Sequence, residues 1–519
     1  MIPLTRRHAV GSLLSLAALG PAASLAQQPA PQAQPGTSSF RFEEVVRRAR
    51  ELAALPFDAA VPPLPEPLAT LDPEAYRGIR FRPDRAFLAQ GGSRFRVQLF
   101  HLGPLYPRPV TVNLIRDGVP SPIPYQTQLF DFGSTKIERP LPVNLGFAGL
   151  RIHYPLNNPT VFDELLSFLG ASYFRFLGRQ QRYGLSGRGL AVGVGGREQE
   201  EFPFFREFWI ETPAPGADRL TVFALLDGAA VAGAYRFDVY PSVETEIEIA
   251  ATLFPRRPIG SIGLAPLTSM FFSGENDPRP GVDFPLEQHD SDGLLVQSGS
   301  GEWIWRPLRN PPDTRVSGFQ DKDPRGFGLM QRDRRFESYQ ALDAGYERRP
   351  SYWVRPLGPW GEGRIELVEI ASQGEPQNNI VAYWTPSRPI EAGRETSFAY
   401  RIKALGGAAP IHPGGRVVNT FSKPIPQAGT AGGRRFMIDF AGGDLGFYLQ
   451  DPSLVQPVAS ASQDTRIVSA SLARNEHVNG FRVMLDVRAE PGRRADLRVF
   501  LKAEGRVLSE TWAYPWIPA

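Results

Sequence analysis

The sequence predicts an all-β protein, and three observations carry that reading. Many short segments alternate apolar with polar or small side chains, the period-two pattern of half-buried strands; FRVQLFHL, LTVFALL, YRFDVYP, ETEIEIAATLF, EWIWRPL, RIELVEI and IVAYW are examples. No helical stretches separate them, so the sheets are expected to be antiparallel. Glycine and proline are both abundant, 51 of each in 519 residues, and they punctuate these runs as turns.

The elements follow in order. MIPLTRRHAVGSLLSLAALGPAASLAQQ, with a basic pair, a short apolar stretch and SLA before Gln27, reads as a cleavable export signal over residues 1–26. Its TRRHAV is an incomplete twin-arginine pattern, so twin-arginine and general export both stay open, and a retained anchor is the alternative to cleavage. The expected compartment is the periplasm. QQPAPQAQPGTSS, residues 27–39, reads as a flexible mature N-terminus. RFEEVVRRARELAAL places Val45, Ala49, Leu52 and Ala53 on one helical face, DPEAY offers Asp72 as an N-cap with Pro73 at the first helical position, and TVFDELLSFLG is expected to be a third short helix. Residues 404–415, ALGGAAPIHPGG, form the clearest linker; about seven strands follow over 416–519, the number an immunoglobulin-like sandwich uses.

Composition excludes several function classes. There is no cysteine, which removes disulfides, thiolate catalysis and cysteine metal sites. None of the six histidines stands at ligand spacing from another, and no metal or other cofactor is expected. RGLAVGVGG lacks a phosphate-loop lysine, and GxSxG does not occur. The net charge of +3 includes Arg6 and Arg7 of the signal, so the mature chain is close to neutral and a nucleic-acid partner is not expected.

Three stretches could carry chemistry. QHDSDGLLVQSGSGEWIWRPL sets His289, Asp290 and Asp292 in a turn ahead of Trp303 and Trp305, which share one side of a strand. Indoles beside carboxylates hold sugars, because pyranose C–H faces stack on rings while acids bind hydroxyls. The alternative is that the tryptophans are core and the aspartates turn residues. ALDAGYERRPSYWVRPLGPWGEG gathers Tyr346, Arg348, Arg349, Tyr352, Trp353 and Trp360 among glycines and prolines, as either a binding loop or a plain connection. GEPQNNIVAYWTP brings Glu375, Asn378 and Asn379 to the rim of a strand that carries Trp384.

Several segments also carry a resemblance. LGFAGLRIHYPLN, LGASYFR, YGLSGRGLAV, EFPFFREFWIE, APLTSMF, HDSDGL, GEWIWRPL, RGFGLMQR, RPSYWV, GRIELVEI and NNIVAYWTP occur in this order, with LSETWAY near the end. Together they resemble the periplasmic glucan biosynthesis proteins of the OpgG/OpgD (MdoG/MdoD) family, and the export signal is closer to the OpgD branch. The resemblance implies a large N-terminal β-sandwich with a long cleft over 40–403, joined to the C-terminal sandwich. It also implies a role in making osmoregulated periplasmic glucans with a β-1,2-linked backbone, and an activity like the inverting β-1,2-glucanases of glycoside hydrolase family 186.

Inversion needs one carboxylic acid to protonate the leaving oxygen and one carboxylate to activate water. By resemblance the base falls on Asp290, and Tyr346 belongs to the same site. The acid falls on position 378, which is asparagine here, and an amide cannot deliver a proton. Three readings follow. Glu375 replaces the acid; the enzyme has an altered outcome, such as glucan transfer; or the cleft binds and guides glucan without cutting it. A scaffold for the inner-membrane glucan glucosyltransferase is compatible with each. His289, Asp292, Trp303, Trp305, Tyr346, Arg349, Trp353 and Trp384 complete the expected ligand-binding set.

Overall fold

Alternation makes strands of these segments, and the strands assemble into two large sheets packed face to face. The structure is a computed structural model; it describes residues 39–518 except 134, 138, 197, 280, 282–283, 374–377, 408–410 and 427–431. The account concerns the body Phe40–Ala519; the expected export signal and nearly all of the expected flexible N-terminus lie outside the described residues.

One sheet of ten strands carries Gly149–Asn158, Val161–Leu169, Tyr173–Phe176, Ser186–Arg188, Ile262–Ser269, Ile380–Pro386 and Glu362–Glu369 as successive neighbours. A second sheet of fifteen includes Val231–Tyr240, Glu246–Pro255, Thr396–Leu405, Ser351–Pro356, Gly326–Met330, Gly293–Gln297 and Trp303–Pro307. The core lies between them. Phe174 meets Phe237 with ring centroids 5.5 Å apart, and Phe176 stacks on Tyr352 at 4.4 Å. The buried Tyr352 hydroxyl donates to the Phe176 carbonyl at 2.6 Å and accepts from its amide at 2.7 Å, which fastens one sheet to the other. Because successive side chains alternate, Phe174 and Phe176 fill the core while Tyr173 and Arg175 stay half-exposed on the opposite face.

The helix Phe42–Ala53 buries Val45 and Ala49 in a cluster with Trp209, Phe223 and Phe254 of the fifteen-stranded sheet. The helix Pro73–Gly78 is capped as its sequence dictates: Asp72 accepts from the Glu74 and Ala75 amides at 2.9 and 2.8 Å. The expected helix in TVFDELLSFLG is instead the strand Val161–Leu169, paired with Gly149–Asn158 on one side and Tyr173–Phe176 on the other. Neighbouring strands on both edges supply backbone partners that outweigh the helical preference of Glu and Leu.

The C-terminal strands make a second sandwich. Arg416–Pro424, Gly432–Ala441, Gly480–Ala489 and Thr465–Asn475 form a four-stranded sheet. Its Phe436 packs on Trp512, Tyr514 and Trp516 from the facing strand, with centroids 5.4 to 6.2 Å away. That facing strand, Thr511–Trp516, also pairs with Trp303–Pro307 and so continues the fifteen-stranded sheet. This pairing is parallel, as is that of Phe204–Glu211 with Thr111–Arg116, against the expectation of purely antiparallel sheets. Both join segments far apart in sequence, where no short hairpin dictates direction.

Polar clamps close this junction. Arg332 binds Glu510 in a bidentate pair at 2.6 and 2.9 Å, and Glu510 also accepts from the Val417 amide at 2.8 Å. Glu275 accepts from the Thr420 amide at 2.6 Å. Burial, reinforced by the charges of Glu287, Asp292 and Asp333, outweighs that amide and pushes the Glu275 carboxyl up to about 8. The folded protein therefore holds this proton more tightly than the unfolded chain does. The resulting stability is full below the carboxyl's ordinary value of 4.5 and is lost as pH rises to about 8. Glu275→Gln keeps the acceptor oxygen and removes the titration. Its urea midpoint is expected to fall less than the parent's between pH 5 and pH 8; equal slopes in the two proteins would refute the assignment.

Candidate functional site

Asp290 stands where the ten-stranded sheet ends. Its amide donates to the Met270 carbonyl at 2.8 Å, just past the strand Ile262–Ser269, and the adjacent Ser291 hydroxyl lies 2.8 Å from that of Ser269. The Arg349 guanidinium donates directly to Asp290 Oδ1. Arg349 also lies over the Tyr346 ring, 4.3 Å from its centroid, and donates to the Ala344 carbonyl at 3.3 Å. Burial, helped by the charge of Arg182, pushes Arg349 down to about 10, so it remains a cation at neutral pH. A carboxylate held by a charge-assisted bond in a largely dry setting has a fixed direction. Gly184 makes room for this clamp: a Cβ there would stand 2.8 Å from Arg349 Cδ and 3.0 Å from its Cβ.

A buried amide organises the surroundings. Gln331 Nε2 lies 3.0 Å from the His289 carbonyl, 3.0 Å from the Tyr346 carbonyl and 3.1 Å from the Tyr339 hydroxyl, while its Oε1 is 2.8 Å from His289 Nδ1. His289 Nε2 is 2.9 Å from Glu287. Both ring nitrogens thus face acceptors, which requires both to carry protons. Burial works against the charge, but Glu287 and the other partners outweigh it, and the His289 pKa ends above its ordinary value. His289 is fully buried and stacked on Phe271, so it positions Asp290 and offers no surface to a ligand.

Asp292 lies two residues on, in the bend before the strand Gly293–Gln297, and fixes a different segment. Its Oδ2 accepts from the Arg332 and Asp333 amides at 2.8 and 2.9 Å, which fixes the start of the segment leading to Tyr346. Arg334 holds the end of that segment by donating to the Glu347 and Arg349 carbonyls at 3.1 and 2.8 Å.

The two adjacent asparagines have different tasks. Asn379 is buried and replaces a backbone neighbour: its side chain accepts from the Phe271 amide at 2.9 Å and donates to the Phe271 carbonyl at 2.9 Å. Asp290 and Asn379 therefore hang from the consecutive residues Met270 and Phe271. Asn378 is exposed and lines a cavity of about 770 Å3 together with Tyr173, Arg175, Glu200, Glu201 and Phe202. Buried Arg188 builds one wall: it pairs with Glu200 at 2.8 Å and lies over the rings of Phe202 and Tyr173 at 4.5 and 5.6 Å. Glu375 lies outside the described residues.

The structure brings Asp290, His289, Tyr346 and Arg349 together; Trp303, Trp353 and Trp384 pack elsewhere, and Trp305 shares with His289 and Asp292 the lining of a small cavity of about 40 Å3. Trp305 is buried against Arg332, whose guanidinium carbon is 3.6 Å from the ring centroid, in the core that joins the C-terminal sandwich. Trp353 belongs to the same core and stacks on Trp303 at 5.7 Å. Trp384 is fully buried in the main core. An indole-and-carboxylate surface built from Trp303, Trp305 and Asp290 therefore does not form. The sequence reading took a shared strand face for an open one; on that face Trp305 is buried in the core of the C-terminal sandwich, and Trp303 is half-buried against Trp353 and His412. Gln331, Tyr173 and Arg175 were missed as site residues. The alternation of YFRF could have placed Tyr173 and Arg175 opposite the core phenylalanines; nothing local marks Gln331. Among the described residues no group of three or more His, Asp or Glu side chains is placed to hold a metal ion.

Fold and site define a two-sandwich, all-β protein with an aromatic and polar cavity at Asn378 and a buried, clamped carboxylate at Asp290. Residues 40–516 match the family described as periplasmic glucan biosynthesis protein, MdoG, and the chain belongs to that family. It is 44% identical to glucans biosynthesis protein D 1 of Ralstonia nicotianae over 535 aligned positions, covering 99% of this chain and 98% of that protein. It is 42% identical to glucans biosynthesis protein G of the same organism, covering 92% and 96%. A probable glucans biosynthesis protein D of Shewanella oneidensis is also 42% identical, covering 93% and 90%.

Removing the Gln331 amide leaves several buried polar groups without partners, each costing about 1–3 kcal/mol. Gln331→Leu is expected to lower the urea midpoint clearly while the far-UV spectrum stays β-rich. A midpoint equal to the parent's would show that the amide does not hold the cluster.

Proposed function

We propose that the protein acts in periplasmic glucan biosynthesis by holding the β-1,2-linked glucan backbone in the cavity at Asn378, with little or no cleavage of it. The observation that carries this reading is the chemistry at position 378. The exposed side chain that shares the cavity with Tyr173, Arg175 and Phe202 is an amide, which binds a hydroxyl as donor or acceptor but has no proton to deliver near neutrality. Aromatic rings, arginines and carboxylates around it suit a neutral polyhydroxylated chain. Asp290, with Arg349 fixing its direction, keeps the carboxylate that the family resemblance assigns as general base.

In this reading residues 40–403 are the glucan-binding sandwich, 404–415 the connection and 416–519 the second sandwich, and the protein works in the periplasm. Contact with an inner-membrane glucan glucosyltransferase is compatible with it. A scaffold that never touches glucan has no use for the organised cluster around Asp290.

The test is to incubate purified protein with linear β-1,2-glucan and follow binding by calorimetry and products by reducing-end assay and mass spectrometry. Binding is expected, weakened by Tyr173→Ala, with almost no new reducing ends. Asn378→Asp is expected to raise reducing-end release by on the order of a hundred-fold or more, the usual scale of general-acid catalysis. Rapid hydrolysis by the parent that persists in Glu375→Gln would overturn both simple binding and rescue by Glu375. Chain products longer than the substrate would instead establish transfer.

A further inference from the structure

The tryptophan that the Asp290 cluster leaves unused walls a separate cavity of about 550 Å3, and this cavity shares no lining residue with the one at Asn378. It lies where the strand Trp303–Pro307 meets the C-terminal strands. Trp353 covers one face of the Trp303 indole, nearly parallel at 18°, and His412 leans on the ring at 5.2 Å and 60°. The half-buried surface that Trp353 leaves open forms part of the cavity wall, and half-buried Phe500 forms another part.

The charges at this cavity are matched in pairs. Glu302 Oε1 accepts from the Thr511 hydroxyl at 2.7 Å and pairs with Arg498, and Arg506 pairs with Asp444 at 2.6 Å. An ionic ligand finds no uncompensated counter-charge there. A neutral ligand with many hydroxyls finds lone pairs on two carboxylates, N–H donors on Arg506 and an aromatic wall for its C–H face. The volume lies within the usual range for small-molecule sites, about 300–1,000 Å3.

We infer that this cavity binds a neutral pyranose, as a second saccharide site apart from the cleft. That the sugar is a β-1,2-glucan segment rests on the function proposed above; the cavity chemistry itself requires only a neutral sugar ring. Two sites on one protein would let a long chain engage both at once, so that the second contact adds avidity without new chemistry.

Calorimetry and ligand-observed NMR on the full chain, with a short linear β-1,2-linked glucose oligomer as probe, provide the test. Short oligomers are expected to show two independent sites per protein. Trp303→Ala is expected to weaken one of them about tenfold, the scale of a single lost aromatic contact. Because Trp303 also packs on Trp353, a second variant, Val507→Trp, fills the cavity from its exposed rim without touching the core. It is expected to abolish the same site and leave the urea midpoint unchanged. Tyr173→Ala should remove only the other site. A single site, lost in Tyr173→Ala and unchanged in both cavity variants, overturns the inference and leaves the cleft reading intact. A single site lost only in the cavity variants supports the inference and overturns the cleft reading. No binding of any oligomer overturns both.

Discussion

The site depends on one buried amide. Gln331 directly follows the strand Gly326–Met330 and ties the His289 backbone and ring, 42 residues away, to the Tyr339 hydroxyl and the Tyr346 carbonyl of the segment that it begins. An amide can do this because it donates and accepts at the same point, whereas a carboxylate would repel the two carbonyls and an ammonium would leave His289 Nδ1 without an acceptor. Through these bonds the position of the Tyr346–Arg349 segment is set relative to Asp290, and with it the direction of the carboxylate. In a water-poor setting a complete polar network of this kind specifies one arrangement, since each alternative leaves a buried group without its bond.

The same logic separates the adjacent asparagines. Asn379 performs the work of a missing strand neighbour, and its amide satisfies both backbone groups of Phe271. Asn378, one residue earlier and therefore turned the other way, reaches the cavity. Amides suit the rim for two reasons: one completes the backbone pairing at the strand end, and the other, under the function proposed above, would meet hydroxyl groups without adding charge.

Much of the architecture was legible because strand patterning is local. Period-two alternation located the strands from Arg96–Phe100 to Ile380–Pro386, and Asp72 with Pro73 marked a helix start that the structure reproduces. TVFDELLSFLG was misread because Asp, Glu and Leu favour a helix in isolation, while its pairing partners on both sides come from tertiary context. The candidate site was legible in part. Asp290, Tyr346 and Arg349 do meet, although 59 residues separate Arg349 from Asp290. Trp305, Trp353 and Trp384 carry the composition of a sugar platform and are core instead. A hydrophobic pattern shows that a face is apolar; it does not show whether solvent, a ligand or another sheet covers it.

The sequence by itself determined the all-β class, the family and the identity of the residue at position 378, since each resides in local pattern or in the order of short segments. Tertiary structure decided which aromatic residues are covered, that His289 is an internal support, and that the fifteen-stranded sheet runs on into the C-terminal strands through the parallel pairing of Trp303–Pro307 with Thr511–Trp516. The physical reason is range. Propensity and alternation act over a few residues, whereas burial and hydrogen-bond satisfaction are settled between segments far apart in the chain, as when Arg332 meets Glu510 across 178 residues.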